Sequence, residues 1–261
     1  MTNRQGDFLW YELMTRDATA ASAFYGAVIG WSVGEAAPGG VDYRMIVAPD
    51  GNAGGMLQLD AAMLAAGATP GWLAYFTVDD VDASVADIIG AGGKVMVPAW
   101  DAPGVGRMAM VTDPQGIPFY VMRGATEGAT STVFQRHGLG HVGWNELLTP
   151  DAGGALGFYH RQFGLTRMGG MPMGEMGEYS FIGPEGGEPV GAVMRCPPGA
   201  KPGWSFYFRV EDVDAAMARV EAGGGTVVNG PMDVPGGERV LQAVDPDGAA
   251  FGLVSGKPAD A

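Results

Sequence analysis

Apolar and polar positions alternate along Phe8-Leu-Trp-Tyr-Glu-Leu-Met-Thr-Arg-Asp17, which predicts a strand with Trp10, Glu12 and Met14 on one face and Leu9, Tyr11 and Leu13 on the other. The period then changes. Asp17 is a helix N-cap, Ala18 to Ile29 is an Ala-rich helix, and Gly30 is its stop. Pro38-Gly-Gly-Val breaks the chain, and Tyr43–Val47 and Gly54–Leu59 follow as strands. The aromatic and β-branched run Pro70-Gly-Trp-Leu-Ala-Tyr-Phe-Thr-Val78 is a further strand. Asp80 caps a helix with apolar residues at 81, 85, 88 and 89, which ends at Gly92-Gly93. Lys94–Val97, Arg107–Thr112 and Ile117–Met122 complete the first half as strands. The order is strand, helix, three strands, and then the same again.

The second half repeats the first. Val142-Gly-Trp-Asn-Glu-Leu-Leu-Thr-Pro-Asp151 restates the opening strand at an offset of 134, and Phe24-Tyr25 and Phe158-Tyr159 each follow their Trp by fourteen residues. Pro202 to Asp214 restates Pro70 to Asp82 at an offset of 132, which holds through Arg239, Asp245-Pro246, Gly248 and Phe251. Such self-similarity is internal duplication. Residues 125–137 contain the small, polar Gly-Ala-Thr-Ser-Thr run expected of a linker, so the expected domains are 1–124 and 138–261. The halves differ most at Met168-Gly-Gly-Met-Pro-Met-Gly-Glu-Met176, a longer Met-rich segment that reads either as a glycine-rich turn or as an adaptable flap over a ligand.

Composition narrows the function. A net charge of −14 leaves nothing to neutralise a phosphate backbone and disfavours anionic membranes, so neither nucleic acid nor membrane is an expected partner. The single cysteine, Cys196, makes no internal disulfide, and the first residues lack the apolar core of a signal peptide, so a cytoplasmic setting is expected. The 45 glycines and 18 prolines suit many short strands joined by tight turns.

Ala23-Phe-Tyr-Gly26, Gly157-Phe-Tyr159, Phe76-Thr-Val-Asp-Asp-Val-Asp82, Phe208-Arg-Val-Glu-Asp-Val-Asp214, Asp113-Pro-Gln-Gly116 and Asp245-Pro-Asp-Gly248 occur in order. Together they resemble the vicinal oxygen chelate superfamily, which includes glyoxalase I, bleomycin- and fosfomycin-resistance proteins and extradiol dioxygenases. The resemblance implies an α+β fold of two tandem domains, each of two βαβββ units curled into a cupped mixed sheet. It also implies metal ligands at fixed strand positions, and those positions here are Trp10, Leu73 and Tyr120 in one half and Trp144, Ser205 and Gly252 in the other. None is a His or a carboxylate, and the remaining position offers only Gln58. No cofactor is therefore expected, with a divalent metal conceivable only through unorthodox ligands. His137, His141 and His160 do not stand at these positions and read as structural or solvated.

On that resemblance the first cup would hold Trp10, Glu12, Tyr75, Arg107 and Tyr120, and the second Trp144, Glu146, Tyr207, Arg209 and Arg239. Glu12 and Glu146 are the candidate catalytic residues, because a carboxylate among aromatics is costly unless a cation such as Arg107, Arg209 or Arg239 answers it. The alternative is a carboxylate at a wet rim or in a structural ion pair. The aromatic and Arg residues are candidate ligand contacts for a small, possibly aromatic molecule. The expected function is a metal-independent binding or detoxification protein of the glyoxalase/bleomycin-resistance type, monomeric or homodimeric. The alternatives are a lyase, isomerase or ring-cleaving oxygenase using Glu12 or Glu146 as base or metal ligand, and an interaction protein whose cups are filled by their own aromatics.

Overall fold

A computed structural model describes residues 3–36 and 40–256. The break expected at Pro38-Gly39 lies outside the described residues. The first half runs β1 (Phe8–Thr15), α1 (Ala18–Ile29), β2 (Ser32–Val33), β3 (Tyr43–Ala48), β4 (Gly51–Gln58), α2 (Ala61–Ala65), β5 (Gly71–Thr77), α3 (Val81–Gly90), β6 (Lys94–Ala102), β7 (Gly106–Thr112) and β8 (Pro118–Gly124). The second half runs β9 (Val142–Thr149), α4 (Ala152–Phe163), β10 (Leu165–Pro172), β11 (Glu178–Pro184), β12 (Gly191–Arg195), β13 (Gly203–Arg209), α5 (Val213–Ala222), β14 (Thr226–Val234), β15 (Glu238–Val244) and β16 (Ala250–Gly256). A single 3-10 turn, Gly174–Met176, lies in the Met-rich segment.

The strands form two eight-stranded mixed sheets, ordered β2-β3-β4-β1-β5-β8-β7-β6 and β10-β11-β12-β9-β13-β16-β15-β14. Within each, β1 with β4, β5 with β8, β9 with β12 and β13 with β16 are parallel, and the hairpins are antiparallel. The fold is α+β with the expected repeat. Two elements were not anticipated. β2 has two residues, too few to show a period, and pairs with Ile46 and Val47. The five-residue α2 is started by Asp60, whose side chain accepts from Met63 N.

The strand expected over Lys94–Val97 extends further, through Pro98 and Trp100. β6 continues to Ala102, and register shifts at Val97 and Trp100 absorb the proline that cannot donate to the ladder.

Local chemistry explains the helix ends. Asp17 Oδ1 accepts from Thr19 N at 3.0 Å and Ala20 N at 2.9 Å, and Gly30 takes the left-handed conformation (φ 91°) that ends α1. Asp151 caps α4 through Gly154 N at 3.0 Å.

By packing, the chain groups into two compact units, each drawing on both halves. The α3/α4 unit comprises Met1–Trp10, Leu73–Ser131 and Asn145–Trp204, and the α1/α5 unit comprises Tyr11–Trp72, Thr132–Trp144 and Ser205–Ala261. The core of the α3/α4 unit is aromatic: Phe76 stacks on Phe163 with centroids 4.4 Å apart, and Phe119, Phe158, Tyr159 and Trp204 close around them. In the α1/α5 unit, Tyr25, Trp31, Trp72, Phe208 and Phe251 do the same. These cores lie on the helix face of the strands. Alternation sends the other residues of each strand to the opposite face, away from the helices and termed the open face for that reason.

Candidate functional site

The most strongly repeated motifs prove to be structural. In the α1/α5 unit the hydroxyl of Tyr25 accepts from Trp72 Nε1 at 3.0 Å and donates to Asp245 Oδ2 at 3.0 Å. Asp245 Oδ1 accepts from the amides of Asp247 and Ala249, closing the Asp-Pro-Asp-Gly turn. The α3/α4 unit repeats this with Trp204, Tyr159 and Asp113 at 3.0 and 3.3 Å. The Phe-Tyr and Asp-Pro-x-Gly motifs are thus two ends of one buried hydrogen-bond chain joining a helix of one half to a turn of the other. Burial pushes Tyr25 and Tyr159 well above the usual phenol range, so both remain hydrogen-bond donors. It also raises Asp245 and Asp113, against the pull of their amide and phenol donors.

Two candidate ligand contacts lie elsewhere than expected. Arg107 is clamped by Asp82 of α3 at 2.8 Å and Asp101 of β6 at 2.9 Å, and Arg239 by Asp214 of α5 at 2.8 Å and Asp233 of β14 at 3.0 Å. Both guanidiniums are on the helix face and lie opposite the face that carries Tyr120 and Tyr207. Their parity follows from register, since Arg107 pairs with Arg123 and β8 turns Phe119 and Val121 towards the helix. Gln58 is also on the helix face. It pairs with Thr15, its Oε1 accepts from Ala18 N at 2.7 Å, and its Nε2 donates to the Arg16 carbonyl. Its amide caps α1, which removes it from any ligand set built around Glu12.

The open faces carry the remaining candidates. In the α1/α5 unit Glu12 is 2% exposed and is in register with Gly55. The Tyr43 ring and hydroxyl lie over Gly55 where any Cβ would collide, so this glycine admits a tyrosine beside the carboxylate. In the α3/α4 unit Glu146 is 6% exposed and pairs with Ala192. Tyr179 Oη donates to Glu146 Oε2 at 2.8 Å, and Phe181 packs edge-on to the Tyr179 ring at 5.9 Å. Sequence reasoning misses Tyr43 and Tyr179. Tyr43 opens β3 and Tyr179 is the second residue of β11, each near an indel that obscures the repeat, but both halves carry a Tyr there at an offset of 136.

Tyr75 and Tyr120, in register on β5 and β8, stack on one another at 4.2 Å and 14°, with Trp100 edge-on to Tyr120 at 6.1 Å. Their counterparts in the α1/α5 unit differ: the Tyr207 ring lies over Gly252, and its hydroxyl accepts from Gln242 Nε2 at 2.6 Å. Arg209 forms an ion pair with Glu238 and donates through Nε to the Arg136 carbonyl at 2.7 Å. The Arg136 guanidinium lies 4.7 Å over the Trp144 ring. Trp10 is half-buried on β1. Thus Arg209, Tyr207 and Trp144 share the α1/α5 unit and Tyr75 and Tyr120 share the α3/α4 unit. Glu146 is met by a phenol, that of Tyr179.

His141 is fully buried, with Nε2 2.6 Å from Asp50 Oδ1 and 3.2 Å from Gln135 Nε2. The pairing holds the Asp50 carboxyl below its usual range. His141 thus ties the segment before β9 to the β3–β4 turn. Among the described residues no helix is long and apolar enough to cross a membrane, and no three His, Cys, Asp or Glu side chains cluster as a metal site would require.

The Glyoxalase/Bleomycin resistance protein/Dioxygenase superfamily profile matches residues 7–121 and again 138–253. The chain is 35% identical over 257 residues to "Putative glyoxylase CFP32" of Mycobacterium tuberculosis, covering 98% of this chain and 97% of that one. It is 33% identical over 275 residues to "Anthracycline biosynthesis protein DnrV" of Streptomyces peucetius, covering 94% and 91%. Among solved structures it is similar to a variant of homoprotocatechuate 2,3-dioxygenase from B. fuscum, with a TM-score of 0.68 at 15% identity over 98% of this chain and 72% of that one. It is also similar to the Mn(II)-bound glyoxalase from Novosphingobium aromaticivorans, with a TM-score of 0.64 at 18% identity over 97% and 82%. At such identities the structures speak for the fold alone. The duplicated profile match and the near full-length relatives show that this chain belongs to the glyoxalase/bleomycin resistance protein/dioxygenase superfamily.

Proposed function

We propose that the protein binds a planar, oxygen-bearing small molecule and does so without the metal-ligand set of its superfamily. The observation that carries this reading is the Tyr179–Glu146 pair, a nearly buried carboxylate oriented by a phenol on the open face of β9. A carboxylate so placed accepts a hydrogen bond from a ligand hydroxyl and is oriented before the ligand arrives. The name of the anthracycline biosynthesis relative supports an aromatic, oxygenated ligand.

The donor set does not fit a divalent ion. Trp10, Leu73 and Tyr120, and Trp144, Ser205 and Gly252, offer neither imidazole nor carboxylate, and Gln58 is bound into the start of α1. Divalent sites need several nitrogen or oxygen ligands converging. No chemical step is therefore routed through a metal.

The same pair favours a second reading, an enzyme in which Glu146 takes a proton from an acidic O–H or C–H of the ligand. Tyr179 donates to Glu146 Oε2 and so holds the carboxyl in place as the proton acceptor of this reading. The name of the relative called "Putative glyoxylase CFP32" supports an enzyme reading.

Titration of tryptophan fluorescence with a hydroxynaphthoquinone, on protein dialysed against chelator, tests the binding reading. Saturable quenching is expected, weakened about ten-fold in Glu146→Gln as one charge-assisted hydrogen bond is lost. Binding equal in wild type, Glu146→Gln and Tyr179→Phe refutes the role of the pair. One equivalent of metal per half, retained through dialysis, refutes metal independence. Consumption of the ligand by wild type but not Glu146→Gln selects the enzyme.

A further inference from the structure

We infer that the open face of β13, β15 and β16 recognises a carboxylate on the ligand, with Arg209 as the anchor. This rests on the small-molecule reading above but uses none of the residues of the Glu146 pair. Four equivalent positions of the two halves show the change. Thr77, Gly106, Met110 and Tyr120 of the first half are Arg209, Glu238, Gln242 and Gly252 in the second. A small, apolar and aromatic surface has become one of charge, amide and glycine.

Arg209 is 8% exposed, and among the described residues two hydrogen bonds account for it: Nε to the Arg136 carbonyl and Nη2 to Glu238. A guanidinium has five N–H groups, so three donors of Arg209, both on Nη1 among them, carry no hydrogen bond there, and Nη1 is not among the buried side-chain atoms left without a partner: it reaches solvent. That edge of the cation is met by water in the absence of a ligand and is the edge a ligand can reach. The backbone fixes the side chain's origin, since Arg209 N donates to the His141 carbonyl at 2.9 Å and the Arg209 carbonyl accepts from Gly140 N at 2.8 Å. His141 is in turn held by Asp50.

Glu238 is the resident stand-in for the ligand. It is the first residue of β15, its side chain is 22% exposed, and Arg136 Nη2 lies 4.0 Å from its Oε2. A ligand carboxylate would take the solvent-reaching edge of the guanidinium in a bidentate or shared arrangement, opposed by the negative charge of Glu238. Tyr207 lies two residues before Arg209 on the same strand face, and Gln242 fixes its hydroxyl. The Arg136-covered face of Trp144 adds an aromatic boundary in the same unit.

The test uses hydroxynaphthoate and the matching hydroxynaphthamide, titrated into the full chain by calorimetry. Wild type is expected to prefer the carboxylate by about ten-fold or more, and Arg209→Gln to abolish the preference by weakening the carboxylate alone. Glu238→Gln is expected to tighten carboxylate binding by about three- to ten-fold and leave the amide unchanged, because it removes the competing charge. A merely structural ion pair predicts no such gain, so this variant decides the matter even where Arg209→Gln folds poorly. Equal affinity for the two ligands, or a Glu238→Gln variant that does not tighten, overturns the carboxylate assignment while leaving small-molecule binding intact. Failure of every variant to bind either ligand overturns both.

Discussion

Replacing Tyr25 with Phe removes one oxygen from the centre of the buried chain that joins Trp72, Tyr25 and Asp245. Tyr25 is fully buried, Trp72 is 6% exposed and Asp245 is 5% exposed, so water does not replace what is lost. Two consequences follow from the 3.0 Å bonds on either side. The Trp72 indole N–H becomes an orphaned buried donor, at a cost of about 1–3 kcal/mol. Asp245 loses a donor to a charged oxygen, about 1.5–3 kcal/mol, partly relieved because its other oxygen keeps two amides. The terms share a neighbourhood and do not add fully, so the expected loss is about 3 kcal/mol, which lowers Tm by roughly 6–12 °C for a chain of this size.

The pH dependence separates the two terms. Burial raises the folded-state pKa of Asp245 above its unfolded value, so the linked stability is present below the ordinary carboxylate range and is lost as pH rises through the raised pKa. Losing the phenol raises that pKa further. The penalty of Tyr25→Phe should therefore shrink as pH falls into the acid range, and in an Asp245→Asn background it should shrink at all pH values. Urea unfolding of the four proteins of this cycle measures it. A Tyr25→Phe loss under about 0.5 kcal/mol, in the range of ordinary surface substitutions, would refute the claim that the Phe-Tyr motif is held for this chain.

Gly55→Ala should be more disruptive than its size suggests. The new Cβ would meet the Tyr43 hydroxyl and ring, so Tyr43 must leave its place beside the register partner of Glu12, at a cost of about 1–3 kcal/mol in thermal or urea unfolding. Unchanged stability would show that Tyr43 is not seated there. Asp214→Asn should lower Tm at neutral pH, since Arg239 holds the Asp214 carboxyl below its usual range. That stability is present above the unfolded pKa and is lost as pH falls through the depressed one, so the wild-type and variant Tm curves should converge in acid. A gap that persists there would refute the ion pair as its source.

The repeat was legible because period and capping are local. Asp17, Gly30 and the apolar spacing of Ala18–Ile29 bound α1 at the residues where the helix begins and ends. Glu12 and Glu146 were legible as buried carboxylates because alternation in a strand fixes which neighbours share a face. Arg107 and Arg239 were not, because their face depends on the register of β7 and β15 against neighbours whose bulges the sequence does not announce. Gln58 misleads for the same reason: it sits within the apolar run Met56-Leu57-Gln58-Leu59, one strand away from Glu12, but its parity matches Thr15. Tyr179 was hidden by the altered length of the hairpin that precedes it, and its hydroxyl reaches Glu146 across thirty-three residues.

Internal duplication supplies a comparison that a single sequence otherwise lacks. Several residues that both halves keep do the same structural work in each. Tyr25 and Tyr159 bond to buried aspartates, Arg107 and Arg239 sit between two aspartates, and Asp17 and Asp151 start helices. These shared roles lie on the helix faces, where a change is penalised in either half by the same packing. The positions that diverge, Thr77 and Arg209, Met110 and Gln242, Tyr120 and Gly252, lie on the open faces. Their chemistry diverges in one direction, since the first half stacks Tyr75 on Tyr120 while the second installs a guanidinium, an amide and a glycine. Packing alone would not require a nearly buried Arg209 where Thr77 suffices, because burying a charge costs more than burying a hydroxyl. Glu238 and the Arg136 carbonyl offset that cost on two of its nitrogens, and the solvent-reaching Nη1 edge is where the inferred ligand carboxylate would add to it.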